Sequence, residues 1–238
     1  MYRLIESDSE NDAAFDCAEW LLALLKTRLW QQENVTLFVS GGTSPAAVFD
    51  QLSTFDIPWQ KVNVHLVDER WALDQPADLN ATLVKQHLLQ KKAASAAFQP
   101  LLIDKDFTRN LQACNEQVSG IAHPDIVLLG LGLDGHIASL FPDAPDYRAA
   151  MTTADHYTAT HPTQAPHARI TMGFNCITAA TQIVLFIPGK EKRTLFNQIA
   201  KQSEPESPLP NLIRESSHKL TVITTRIPRK GRTPPFCM

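Results

Sequence analysis

The chain has 238 residues, 44% of them hydrophobic, enough for one large α/β domain with a buried core. A formal charge of −3 at pH 7 gives no global attraction for nucleic acid or for an anionic membrane. Cys17, Cys114, Cys176 and Cys237 form no C-x-x-C pair, which suits reduced thiols in a cytoplasmic protein better than a disulfide framework or a zinc knuckle.

The opening MYRLIESDSEND is acidic and lacks an apolar h-region, so no secretory signal is expected, and no apolar run approaches the length of a membrane span. Ser9-Glu10-Asn11-Asp12 has the form of a capping box. Ala18, Leu21, Leu22, Leu25 and Leu29 then recur at helical spacing and predict a long first helix. VTLFVSG (35–41) is a short apolar run rich in β-branched residues, as expected of a strand buried on both faces of a parallel sheet. The same type returns at 62–69, 125–132, 182–189 and 219–225. A further strand at 97–103 is expected at an edge, because Pro100 cannot donate to a ladder. Helical patterns fill 45–52, 80–90, 108–119 and 190–201, the third capped by Thr108 with Leu111, Cys114, Asn115 and Val118 on its buried face. Alternating strands and helices predict an α/β fold, Rossmann-like, with a mostly parallel sheet and helices on both faces. The chain reads as one domain, with a surface excursion over 142–168 and a loosely packed basic tail over 227–238.

Ligands of open parallel α/β sheets bind at the carboxyl ends of the strands, and four of these runs end in polar or glycine-rich sequence. SGGTSP (Ser40, Gly41, Gly42, Thr43, Ser44, Pro45) reads as an anion site or as an ordinary strand-to-helix turn. In the first reading Ser44 caps the following helix and Pro45 opens it. It is no Walker A loop, since G-x-x-x-x-G-K-[ST] is absent. Asp68-Glu69-Arg70 follows the second run, where Arg70 is either a ligand or half of an ion pair. Lys190 opens a helix, where a cation opposes the macrodipole, so it marks a nearby anion or is a flexible lysine offset by Glu191. Arg169 is either a phosphate fork or a solvated strand end.

LLGLGLDGHIASLFP (128–142) carries Gly130-x-Gly132-x-x-Gly135, the spacing of a dinucleotide fingerprint. Pro142 limits a following helix to roughly two turns, and Asp155 lies in the excursion rather than at a strand end, so NAD binding is rejected. The informative residues are Asp134 and His136. Near a helix N-terminus His136 is favoured as a neutral base, while Asp134 pulls the other way. His65 and His87 read as structural. His156, His161 and His167 match no standard metal-ligand spacing, and Ser139 lacks a G-x-S-x-G elbow.

SGGTSP, VDER, Asp78-Leu79-Asn80, GLGLDGHIASLFP, RIT and PGKEK stand in the order seen in 6-phosphogluconolactonases, a family the chain resembles over residues 35 to 200. Its fold relatives are glucosamine-6-phosphate deaminases and ribose-5-phosphate isomerases. The resemblance implies hydrolysis of 6-phospho-D-glucono-1,5-lactone to 6-phosphogluconate in the oxidative pentose phosphate pathway, without metal or organic cofactor. It implies His136 as the base, Asp134 as its support and Arg70 as holder of the substrate or of developing charge. Ser40 to Ser44, Asp68, Asn80, Gly132, Gly135, Arg169 and Lys190 are the implied substrate-binding positions. The expected partner is a sugar-phosphate lactone, met by a cytoplasmic monomer or small homo-oligomer that binds neither nucleic acid nor membrane.

Two features depart from the family: Asp143 where glycine often follows LFP, and TVITTRIPRKGR in place of its usual Trp- and Asp-bearing C-terminal strand. The rival readings are a glucosamine-6-phosphate deaminase or isomerase and a non-catalytic sugar-phosphate sensor. The first wants an aromatic after Asp68-Glu69 and a glutamate before Pro142, where Arg70 and Ser139-Leu140-Phe141 stand. The second has no use for Asp134 and His136.

Overall fold

The computed structural model of the chain describes residues 1–202 and 207–227. The expected tail from residue 228 onward, with Cys237, lies outside them. A strand that the apolar runs do not announce, β1 (Arg3–Ser7), comes first. Ser9 then caps α1 (Glu10–Gln31) by accepting from the Asp12 amide, as the capping box predicts. β2 (Val35–Val39) leads into α2 (Thr43–Leu52), and β3 (Val62–Leu66) into the short β4 (Asp68–Arg70). α3 (Asn80–Leu83) runs on through a wider turn (Val84–Leu88) to β5 (Ala97–Gln99), which stops just before Pro100. α4 (Phe107–Val118) is capped by Asp106, which accepts from the Arg109 amide, and not by Thr108. A carboxylate one residue before the apolar pattern competes for that position and wins.

β6 (Ile126–Leu129) is followed by α5 (Tyr147–Thr152), β7 (Tyr157–Thr160), β8 (Arg169–Met172) and α6 (Phe174–Ala179). β9 (Gln182–Ile187), α7 (Lys190–Ile199), α8 (Pro208–Ser216) and β10 (Leu220–Thr225) complete the described chain. The 142–168 segment is therefore not a plain surface excursion. Ala150, Tyr157 and Thr160 are buried in it, and the Tyr157 hydroxyl donates to the Leu66 carbonyl at 2.7 Å. Asp143, where the family often has glycine, accepts from Thr163 and Gln164 and so braces the 160s loop.

Seven strands form one sheet in the order β1-β10-β9-β6-β2-β3-β5, with every pairing parallel. All residues of β6 and β10 are buried, so both faces of the sheet are covered, as a parallel sheet requires. β4, β8 and β7 form a separate antiparallel sheet at the carboxyl end of β3. From β2 the chain steps outward through β3 and β5, then returns to lay β6 on the other side of β2. The order reverses between β2 and β6, and the crevice beyond their carboxyl ends is where such a sheet binds ligands.

At the opposite end, Asp125 ties β6 to α1 and β2. Its carboxylate accepts from Arg28 at 2.5 Å, from the Gln32 amide at 2.9 Å and from the Thr36 backbone at 2.8 Å.

Candidate active site

The cleft at the switch point is walled by Ser40 to Pro45 after β2, by Asp68 and Arg70 of β4, by Asn80, by Gly130 to Gly132 with His136 and Ala138 after β6, and by Lys192 of α7. Five chain segments thus deliver their polar ends to one place.

The first wall begins where Ser40 donates its amide to Leu128, locking the loop to β6. The Ser40 hydroxyl is buried and has no hydrogen-bond partner among the described residues, while Ser40 itself lines the cleft. Gly41 meets Asn80 so closely that a Cβ would overlap its side chain. α2 begins at Thr43 with Gly42 as its cap, which makes no side-chain bond. Ser44 therefore does not cap the helix and Pro45 does not open it. Its first amides are left for an anion, and the Ser44 hydroxyl accepts from Lys192 Nζ at 2.9 Å.

The second wall is built on β4. The buried Asp68 accepts from the Ser139 hydroxyl at 2.5 Å, and its carbonyl accepts from Asn80. Arg70 is not half of a structural ion pair among the described residues; it donates to the Asp78 carbonyl and lines the cleft. Burial pushes the Glu69 carboxyl up to about 6, opposed by bonds from the Ala81, Asn80 and Arg70 amides. Arg169 faces Arg70 across the β4–β8 register but is buried and absent from the cleft wall. Its guanidinium lies 5.9 Å from the Phe141 ring, whose other neighbour is the His136 imidazole at 4.1 Å. It is neither a solvated strand end nor a residue of the inner wall, and it adds positive charge from behind. Burial lowers its pKa from the usual arginine value.

The third wall holds His136, the base expected from the sequence. His136 Nδ1 lies 2.5 Å from Asp134 Oδ1, and the same oxygen accepts from the His136 amide at 3.3 Å. An Nδ1–H donated to a carboxylate leaves Nε2 with a free lone pair, which a general base requires. The hydrogen bond from His136 holds the Asp134 carboxyl below the usual carboxylate range, against the opposing effect of burial. No helix follows His136, contrary to the two-turn helix the sequence suggests. Residues 137–140 close on themselves in a bridge between Ile137 and Leu140, with Ala138 at φ +51°. His136 thus owes its orientation to Asp134 and to Phe141 rather than to a macrodipole. Gly135, at φ +89°, makes the turn and stays outside the cleft wall, its carbonyl accepting from Ser207 at 2.7 Å.

The fourth wall corrects one expected residue. Lys190 is exposed on an adjoining cavity beside Glu10 and Glu191, while Lys192, two residues on, reaches the cleft. Burial lowers the Lys192 pKa, with Glu10 pulling it back up. The remaining histidines stand apart: His156 bonds the Ile121 carbonyl, His161 pairs with Asp146, and His65 stacks on Phe38.

The cleft therefore combines a helix N-terminus without a side-chain cap, cationic side chains at two walls and a carboxylate-oriented imidazole. That set can hold a phosphate-bearing substrate and activate a water against it.

Comparison with known proteins identifies the family. The family model described as glucosamine-6-phosphate isomerases/6-phosphogluconolactonase matches residues 8–222. A 6-phosphogluconolactonase of Neisseria meningitidis is 34% identical over 213 residues, covering 87% of this chain and 92% of the relative. One of Xylella fastidiosa is 37% identical over 175 residues, covering 71% of this chain and 73% of the relative. A crystal structure of a 6-phosphogluconolactonase from Shewanella baltica superposes with a TM-score of 0.86 at 30% identity, over 94% of this chain and 97% of that one. The chain belongs to the glucosamine-6-phosphate isomerase/6-phosphogluconolactonase family.

Proposed function

We propose that this protein hydrolyses 6-phospho-D-glucono-1,5-lactone to 6-phosphogluconate, with His136 as general base. The observation that carries the reading is the Asp134–His136 pair facing an anion-binding cleft at the switch point. Asp134 holds the Nδ1 proton, and Nε2 takes a proton from a water as that water attacks the lactone carbonyl. The carbonyl oxygen becomes an oxyanion, which Arg70 stabilises. Collapse breaks the bond to the ring oxygen, which leaves with the proton from the imidazolium and opens the ring to a hydroxy acid. An activated ester carbonyl of this kind needs no covalent nucleophile.

The phosphate is assigned to the free amides at the start of α2 and to Lys192, which supply binding energy remote from the reacting carbon. The reading places the enzyme in the cytoplasm, as a monomer or small homo-oligomer built on one α/β unit. Among the described residues no helix is long and apolar enough to cross a membrane.

Purified protein is expected to consume freshly generated phosphogluconolactone faster than the buffer blank. A rate equal to the blank contradicts the proposal. Ammonia release from glucosamine 6-phosphate tests the deaminase alternative, for which the glutamate before Pro142 is missing and Ser139 is committed to Asp68.

A further inference from the structure

Glu69 takes no part in the chemistry proposed above, yet it is fully buried beside the cleft. Its Oε1 accepts from the backbone amides of Arg70 at 2.8 Å and Asn80 at 2.9 Å, and its Oε2 accepts from that of Ala81 at 2.8 Å. An ionised carboxylate has only acceptor sites, so it satisfies all three donors together. A carboxamide of the same shape turns at least one N–H toward another N–H. Bonds to an ionised acceptor are also the stronger kind.

The three amides lie on both sides of the loop that joins β4 to α3. Arg70 and Asn80 each line the cleft. Asn80 donates its side-chain amide to the Asp68 carbonyl at 2.8 Å and lies directly over Gly41. One buried carboxylate therefore reaches the cationic wall through Arg70 and the anion loop through Asn80. His136, Asp134 and Lys192 sit on segments it does not bond.

We propose that Glu69 is a positioning residue for substrate binding, its three-amide clamp setting Arg70 and Asn80 in the cleft and, through Asn80, the backbone of Gly41. The proposal rests on the lactonase reading of the site. Loss of the clamp weakens substrate binding through Asn80 and Gly41 and, through Arg70, loosens the hold on the oxyanion, while the base and its carboxylate are untouched.

Steady-state kinetics of Glu69→Gln, Asn80→Ala and the double variant test it, alongside thermal melting to establish folding. Glu69→Gln is expected to raise KM about tenfold or more, with kcat also lowered as Arg70 shifts from the oxyanion. The double variant is expected to cost clearly less than the sum of the two single variants, since part of the Glu69 effect passes through Asn80. A wild-type KM in Glu69→Gln, a loss confined to kcat, or strictly additive costs overturn the proposal. Should Glu69→Gln not fold, Asn80→Ala decides alone: a raised KM with kcat retained is expected, and an unchanged KM overturns the clamp. Calorimetric binding of 6-phosphogluconate to the same proteins separates the two readings. Wild type that binds this product but does not turn over lactone refutes the activity, whereas equal product affinity in wild type and Glu69→Gln refutes the clamp.

Discussion

His136 can serve as a base because Asp134 occupies one of its two ring nitrogens, and no other described residue shares that hydrogen bond. The pair was readable from D-G-H at a strand end, since two residues across a tight turn cannot avoid one another. The cation that faces it was harder to read. PGKEK offers two lysines, and a two-residue step turns about 200° around a helix, so only one of them can enter the cleft. Nothing in the pentapeptide says which; the roll of α7 against β10 and β9 decides it, and Lys192 is the one that bonds Ser44. Lys192→Ala is therefore expected to raise KM for the lactone by about ten- to a hundredfold, as loss of a charge-assisted phosphate contact should. Lys190→Ala is expected to leave KM within about twofold, as for an exposed side chain. The opposite ranking in initial-rate kinetics removes Lys192 from the site.

The strands β2, β3, β6, β9 and β10 stood out because burial on both faces keeps most of their positions apolar or β-branched. β7 and β8, YTAT and RITM, are four residues each, and their small sheet is held by register with β4 rather than by any apolar run. β1 was hidden for a different reason: its outer residues are exposed at a sheet edge, so RLIES lacks an apolar signature. The absent helix after His136 is likewise tertiary in origin. Asp68 and Thr171 bind Ser139, and those bonds draw the backbone into a closed turn instead.

At the far end of the sheet, Asp125 links α1, β2 and β6 from a buried position. Asp125→Ala leaves the Thr36 amide and part of Arg28 without an acceptor and is expected to cost about 3 kcal/mol. Urea unfolding measures the loss, while KM near 10 °C should stay at the wild-type value because the site is at the opposite strand ends. Equal stability contradicts the role given to Asp125.

On the scale of the whole molecule, a chain of net charge −3 gathers Arg70, Lys192 and the buried Arg169 around one crevice, so the anion affinity proposed for it is local and invisible in the composition. Stability should also depend on pH through the core. Burial lowers the His65 pKa to about 4 from 6.5. Between those values the unfolded chain holds a proton that the folded chain refuses, so stability falls as pH falls from 6.5 toward 4. The full effect is about 3 kcal/mol. Glu69, raised to about 6 from 4.5, acts in the opposite sense, because there the folded chain holds the extra proton. Comparing urea midpoints of wild type and His65→Leu at pH 7 and 4.5 isolates the histidine. Wild type should lose more stability on acidification than the variant, and parallel losses contradict the assignment.

The switch point between β2 and β6 brings these scales together, since it is the sheet order that sets the Ser40–Pro45 loop and His136 on one cleft. The most direct test is kcat/KM of His136→Ala on phosphogluconolactone, corrected for spontaneous hydrolysis, with folding verified by melting. A fall of about 10²- to 10⁴-fold with 6-phosphogluconate still bound is the predicted result. Activity equal to wild type in the folded variant contradicts the assignment of His136 as the base.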